Sequence, residues 1–197
     1  MAPRQKHRQP VIETAVRLFR QQGYSATGLN DLVFEAGAPK GSIYHYFPEG
    51  KASIAVAAVE EAGRRVAETV AAIAARTGST RELLIEHARL LGGWMAKSGF
   101  RDGCPITTVI LELAPQERLI AEAGRKAYAA RQSVLERKLM EDGFRRPKAA
   151  ELAILCMSAL QGSLVQARVE TSRKPIDATA KQLGDLIEAA RGSLVRA

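Results

Sequence analysis

The stretch Thr27–Phe47, TGLNDLVFEAGAPKGSIYHYF, constrains this chain more than any other. Leu29, Leu32, Val33 and Ala36 fall at i, i+3, i+4 and i+7, which is one face of a helix. Thr27 stands where an N-cap hydroxyl can take an orphan backbone N–H. Gly37 follows Ala36 where a left-handed residue ends a helix. Pro39 sets φ for a second start, and Lys40–Tyr46 supplies about two turns. Helix, glycine-containing turn and short second helix together predict a helix-turn-helix, whose second helix enters the major groove of DNA.

Ile43 and Phe47, four residues apart, are expected to pack back on the first helix of the pair. That leaves Lys40, Gly41, Ser42, Tyr44 and His45 outward. Lysine and serine suit phosphates and base edges, and glycine lets the backbone come close to DNA. The same pattern also fits a solvated helical corner plugged by Tyr44, Tyr46 and Phe47. Lys51 opens the next long helix, where its ammonium can join the free N–H groups in holding a phosphate. The expected DNA contacts are therefore Thr27, Lys40, Gly41, Ser42, Tyr44, His45 and Lys51. Gly50-Lys51 is not part of a nucleotide-binding loop, because His45 and Ala52 stand where that motif needs glycine and a hydroxyl.

Tyr24, Thr27, the Ala36–Gly37 pair, Lys40–Gly41, Tyr44, Phe47 and Lys51, at this spacing, resemble the amino-terminal signature of TetR-family transcriptional regulators. The resemblance runs from about Val11 to Val59. Gly103-Cys104-Pro105-Ile106 and Gln161-Gly162-Ser163-Leu164 resemble the LmrA/YxaF-like branch more weakly. Val33 and Phe34 depart from the family pattern, which usually has a small alanine there, and are expected to shift packing under the turn. The resemblance implies an all-α regulator that binds a palindromic operator as a homodimer and answers to a small effector.

Lysine and arginine exceed aspartate and glutamate by 29 − 21 = 8, which favours a polyanionic partner. Cys104 and Cys156 lie far apart without CxxC spacing and read as two reduced thiols. No apolar run of about 18 residues is apparent, and the N-terminus MAPRQKHRQP has no signal-peptide core. A cytoplasmic protein without a membrane partner is expected. His7, His45 and His87 are scattered, and neither HExxH nor GxSxG occurs, so no enzyme, metal site or cofactor is expected.

Punctuation by Gly23, Gly78, Gly99, Gly103, Pro105, Pro115, Gly143 and Pro147 divides the chain into about nine helices with no strand-like alternation. The fold class is all-α: a three-helix helix-turn-helix domain over 1–50 and a helical ligand-binding and dimerisation domain over 51–197. The basic tail before Pro10, with Arg4, Lys6 and Arg8, reads either as a solvated end or as an arm against phosphates. Long helices are expected at Pro10–Gln22, Lys51–Arg76, Gln116–Glu141 and Asp177–Val195, and a short one at Ile106–Leu113. Ser79-Thr80-Arg81-Glu82 is a capping box for a helix that follows Gly78.

Leu152–Val165 is apolar nearly all round and must be covered on more than one side. With the last helix it supplies the expected dimer interface: Leu152, Leu155, Ala159, Leu160, Ser163, Leu183, Leu186, Ile187 and Ala190, paired as a four-helix bundle. A mixed aromatic, aliphatic and methionine set is expected to meet an apolar or amphipathic effector: His87, Leu91, Trp94, Met95, Phe100, Ile106, Ile110, Tyr128, Met157 and Gln161. Singly, each of these also reads as core filling. Arg89 is a further polar candidate beside them.

Overall fold

The computed structural model describes residues 6–194, with side chains through residue 192. Nine helices and no strand occur among the described residues. They are α1 (Arg8–Gln22), α2 (Leu29–Glu35), α3 (Lys40–Tyr46), α4 (Lys51–Arg76) and α5 (Thr80–Lys97), followed by α6 (Pro105–Leu113), α7 (Arg118–Glu141), α8 (Arg146–Glu170) and α9 (Lys174–Leu194). Of the basic tail, Arg4 lies outside the described residues, as does Val195 at the far end. Lys6 and His7 already form a turn and Arg8 is helical, so α1 begins two residues earlier than expected. The Arg8 guanidinium lies 5.8 Å over the Phe47 ring.

Two compact units divide the chain: residues 1–65 with 104–128, and residues 66–103 with 129–197. The functional division expected at residue 50 follows the motif; the compact units follow packing and recruit α6 and the start of α7 to the first unit. In that unit Val11, Ile12, Ala15, Leu18 and Phe19 of α1, Leu32, Ile43, Phe47, and Ile54, Ala55 and Val59 of α4 are buried. Gly63 on α4 meets α7 so closely that a Cβ there would lie 2.5 Å from the Ala127 Cβ. Ile110 of α6 likewise fills the space beside Gly124.

The second unit is built on α5, α8 and α9, which pack on one another around Leu83, Leu84, Leu152, Cys156, Leu160, Ile176 and Ile187. Ser79 caps α5 by accepting the Glu82 N–H at 3.2 Å, as the capping-box pattern requires. The Glu82 carboxylate takes the Gly78 N–H at 2.7 Å, one residue before the amide that a standard box uses. Lys138, almost fully enclosed, donates to the Thr77 carbonyl at 2.7 Å and pairs with Glu141 at 3.0 Å. The Asp142 carboxylate accepts the Thr80 N–H at 2.8 Å.

The expectation that no helix is long and apolar enough to cross a membrane is corrected by α8, which passes that test by length and composition. One third of the qualifying window is buried inside the chain. α8 packs on α9, and its Ile154, Leu155, Val165 and Val169 remain exposed.

Candidate nucleic-acid interface

Gly23 ends α1 with φ +84, a left-handed conformation that favours glycine. The turn that follows is held by its own side chains. Thr27 Oγ1 donates to the Gly23 carbonyl at 2.7 Å and accepts from Gln22 Nε2 at 3.2 Å. The N-cap of α2 is Gly28, one residue later than expected, and its N–H is taken by Asp31 at 3.1 Å. Thr27 is fully buried with its hydroxyl turned inward. Its side chain therefore holds the turn and presents no hydroxyl to a phosphate.

α2 ends as the punctuation requires: Gly37 has φ +58, and the Ala38 N–H returns to the Val33 carbonyl at 3.2 Å. Pro39 precedes α3 as its N-cap in an extended conformation. Ile43 and Phe47 are buried, so the i, i+4 pair anchors α3 against its own unit. Lys40, Gly41, Tyr44 and His45 are exposed and Ser42 is half-buried. Tyr44 keeps 53% of its surface in solvent, and a Cβ at Gly41 would meet nothing within 4 Å. The His45 ring stands edge-on to Tyr46 at 5.1 Å. Of the two residues that depart from the family pattern, Phe34 is 86% exposed and Val33 is half-buried. Arg17 of α1 forms an ion pair with Glu35 of α2.

Lys51 behaves differently from the phosphate contact expected of it. Its ammonium donates to the carbonyls of Tyr24 at 3.1 Å and Thr27 at 3.0 Å, and lies 4.1 Å over the Tyr24 ring. Glu112, on α6, was not singled out by any sequence signal. Its two carboxylate oxygens accept the N–H groups of Tyr24 at 2.8 Å and Ser25 at 2.7 Å. A second cluster joins α1 to α4: Glu61 binds Arg64 and Arg65, and Arg65 reaches Glu13 at 3.0 Å. Arg64's hydrogen bond draws the Glu61 carboxyl down to about 2; burial opposes this and Arg65 adds to it.

The residues expected to meet an effector fall in both compact units. Ile106, Ile110 and Tyr128 belong to the first, where Tyr128 OH lies 3.2 Å from Thr107 Oγ1. His87, Leu91, Trp94, Met95, Phe100, Met157 and Gln161 belong to the second. Ile106 and Met95 are buried as core, while Trp94 is exposed. His87 is buried, and burial first, then the charge of Arg131, pushes its pKa down to about 4. Among the described residues no group of three or more His, Cys, Asp or Glu side chains is arranged to hold a metal ion.

The residues expected at a dimer interface divide sharply. Leu152, Leu160, Ser163, Leu183 and Ile187 are buried inside the single chain, and Ser163 Oγ donates to the Leu160 carbonyl at 2.7 Å. Within the single chain these five are core residues. Leu155 and Leu186 are exposed, and Ala159 and Ala190 are half-buried. Ile154, Gly162, Val165 and Val169 on α8 are exposed as well.

A short helix anchored by buried Ile43 and Phe47 behind a glycine turn is a helix-turn-helix. The chain matches the profile of bacterial regulatory proteins of the tetR family over residues 11–58, and that of the LmrA/YxaF-like transcriptional regulator C-terminal domain over residues 80–182. The chain belongs to the TetR family of transcriptional regulators, with an LmrA/YxaF-like C-terminal domain. It is 31% identical to the uncharacterised HTH-type regulator YxaF of Bacillus subtilis, across 95% of this chain and 98% of that one. An uncharacterised HTH-type regulator of Mycobacterium tuberculosis is 33% identical, across 91% and 93%. The repressor DhaR of a Mycobacterium species is 22% identical, across 86% of each. A TetR regulator structure from Chloroflexus aurantiacus superposes with a TM-score of 0.78 at 25% identity, covering 95% of this chain and 97% of that one.

Proposed function

We propose that this regulator is a cytoplasmic, ligand-responsive repressor that binds a palindromic operator as a homodimer and is released by a small apolar or amphipathic effector. The observation that carries the DNA-reading part is the outward set Lys40, Gly41, Ser42, Tyr44 and His45 on a helix whose Ile43 and Phe47 are buried. One such helix reads only a few base pairs, each good contact being worth about 1–3 kcal/mol of discrimination. Two copies across a twofold axis supply a full operator, with half-sites about one helical turn apart. The exposed apolar residues of α8 and Leu186 of α9 support α8–α9 pairing as the source of that twofold. Repression is the sign carried by the similar regulator DhaR.

α4 is one uninterrupted helix from Lys51 to Arg76. Effector bound in the helical body shifts it and changes the separation of the two α3 helices, so affinity for fixed half-sites falls. By linkage, operator and effector weaken one another equally. Burial of Met95 and Ile106 as core supports a second reading, a DNA-binding dimer that senses no small molecule. The two part in one experiment. A panel of apolar and amphipathic compounds is screened by shift in melting temperature, and operator affinity is measured with each compound that binds. A loss of affinity with a bound compound supports sensing; unchanged affinity with every compound that binds the protein supports the second reading.

A further inference from the structure

We infer that Lys51 and Glu112 are positioning residues for DNA binding, a two-sided clasp on the turn between α1 and α2, and that Lys51 contributes no phosphate contact. The turn from Gly23 to Gly28 leads directly into α2, and α3 follows α2 after only Ala36–Pro39, so the turn sets where the reading helix lies. Glu112 grips one side of it. One oxygen accepts the Tyr24 N–H at 2.8 Å and the other the Ser25 N–H at 2.7 Å, a bidentate arrangement on consecutive amides. Lys51 grips the carbonyls of the same segment, at Tyr24 and Thr27, and covers the Tyr24 ring. Tyr24 is thus held by its amide, its carbonyl and its ring at once. A Cβ at Gly23, already at φ +84, would displace Glu112 Oε1 from its place against the turn.

The charges keep the clasp closed. Burial raises the Glu112 carboxyl, but the hydrogen bonds from Ser25 and Tyr24 and the charge of Lys51 outweigh it and hold the pKa below the ordinary value. Glu112 is therefore ionised at neutral pH. An ammonium has three N–H groups, and two of those on Lys51 already end on carbonyls. The ammonium also lies 4.1 Å over the Tyr24 ring, so drawing it out to a phosphate strains these bonds and uncovers the ring. The inference rests on the DNA-binding reading, yet half of its test needs no DNA.

The test uses the whole chain carrying Lys51→Met and Glu112→Gln, singly and together, on the duplex that the parent selects from a random pool. Each single variant is expected to bind that duplex about tenfold more weakly. The slope of log affinity against log salt should stay at the parent's value, because no phosphate contact is lost. The double variant should lose less than the product of the two, because both hold one turn. Without DNA, Glu112→Gln should shift the backbone amide resonances of Tyr24 and Ser25 and speed their hydrogen exchange, with Cys156 unaffected. Glu112→Gln keeps the side chain's size and one acceptor oxygen, so it remains informative even if Lys51→Met unfolds. A Lys51→Met slope lower by about one unit overturns the inference, as does parental operator affinity or unchanged Tyr24 and Ser25 exchange in Glu112→Gln.

Discussion

Replacing Val165 by glutamate separates assembly from folding. Val165 is 58% exposed on α8 and shares that face with Leu155, Val169 and Gly162, whose Cβ position is open. Within one protomer the new carboxylate stays in water, so the fold should change in stability by no more than about 0.5 kcal/mol. Across a twofold interface the substitution enters twice. Burying each unpaired carboxylate costs roughly 3 kcal/mol, so the pair removes roughly 6 kcal/mol. That is about four orders of magnitude in the dimer dissociation constant. Leu160→Glu is the contrast: Leu160 is buried in the protomer's own core, so there the cost falls on folding itself. Sedimentation at micromolar concentration, with far-UV circular dichroism alongside, distinguishes the two. Val165→Glu should sediment as a helical monomer and Leu160→Glu should unfold or aggregate. A Val165→Glu protein that remains dimeric at low micromolar concentration would refute the assignment of this α8 face.

Three further outcomes follow from single residues. Tyr44→Ala should weaken operator binding by about 1–3 kcal/mol in a gel-shift titration while sedimentation still shows a dimer; parental affinity would mean that α3 is oriented otherwise. His87 releases its proton more readily folded than unfolded, because its pKa is pushed from about 6.5 to about 4. Stability is therefore full above pH 6.5 and should fall by up to about 3 kcal/mol as pH drops to 4. His87→Leu should flatten that limb of a urea-midpoint profile, and an unchanged limb would assign it to other groups. Gly63→Ala places a methyl 2.5 Å from the Ala127 Cβ, so α4 and α7 must part at a cost of about 1–3 kcal/mol in urea unfolding. Gly41→Ala, with open space, should show no such loss.

What the sequence made legible was local. Gly37 at φ +58 and Gly23 at φ +84 sit where the periodicity breaks, and Ile43 and Phe47 are buried because four residues return a helix to the same face. These rules involve neighbours along the chain, so spacing alone carried them. The Lys51 clasp was not legible, because its carbonyl partners lie 24 and 27 residues earlier and any backbone carbonyl would serve. Glu112 meets Tyr24 across 88 residues, and an exposed glutamate on a short helix carries no local mark. α8 failed in another way. A helix apolar nearly all round announces burial on several sides without saying which side faces its own chain, so the pattern sends Leu152 and Leu160 to a partner although both are buried within the chain. Thr27 shows the same limit at smaller scale: the hydroxyl that suits an N-cap turns back to Gly23 once Asp31 takes the Gly28 amide.

The central claim is that two copies of α3 read a symmetric operator. The purified protein, incubated with a random duplex pool at physiological salt, selects the sequences it prefers. Enrichment of a palindrome whose half-sites are centred about one helical turn apart is expected, with the enrichment lost in Tyr44→Ala. Enrichment of an asymmetric single site, or of no sequence at all, would contradict it.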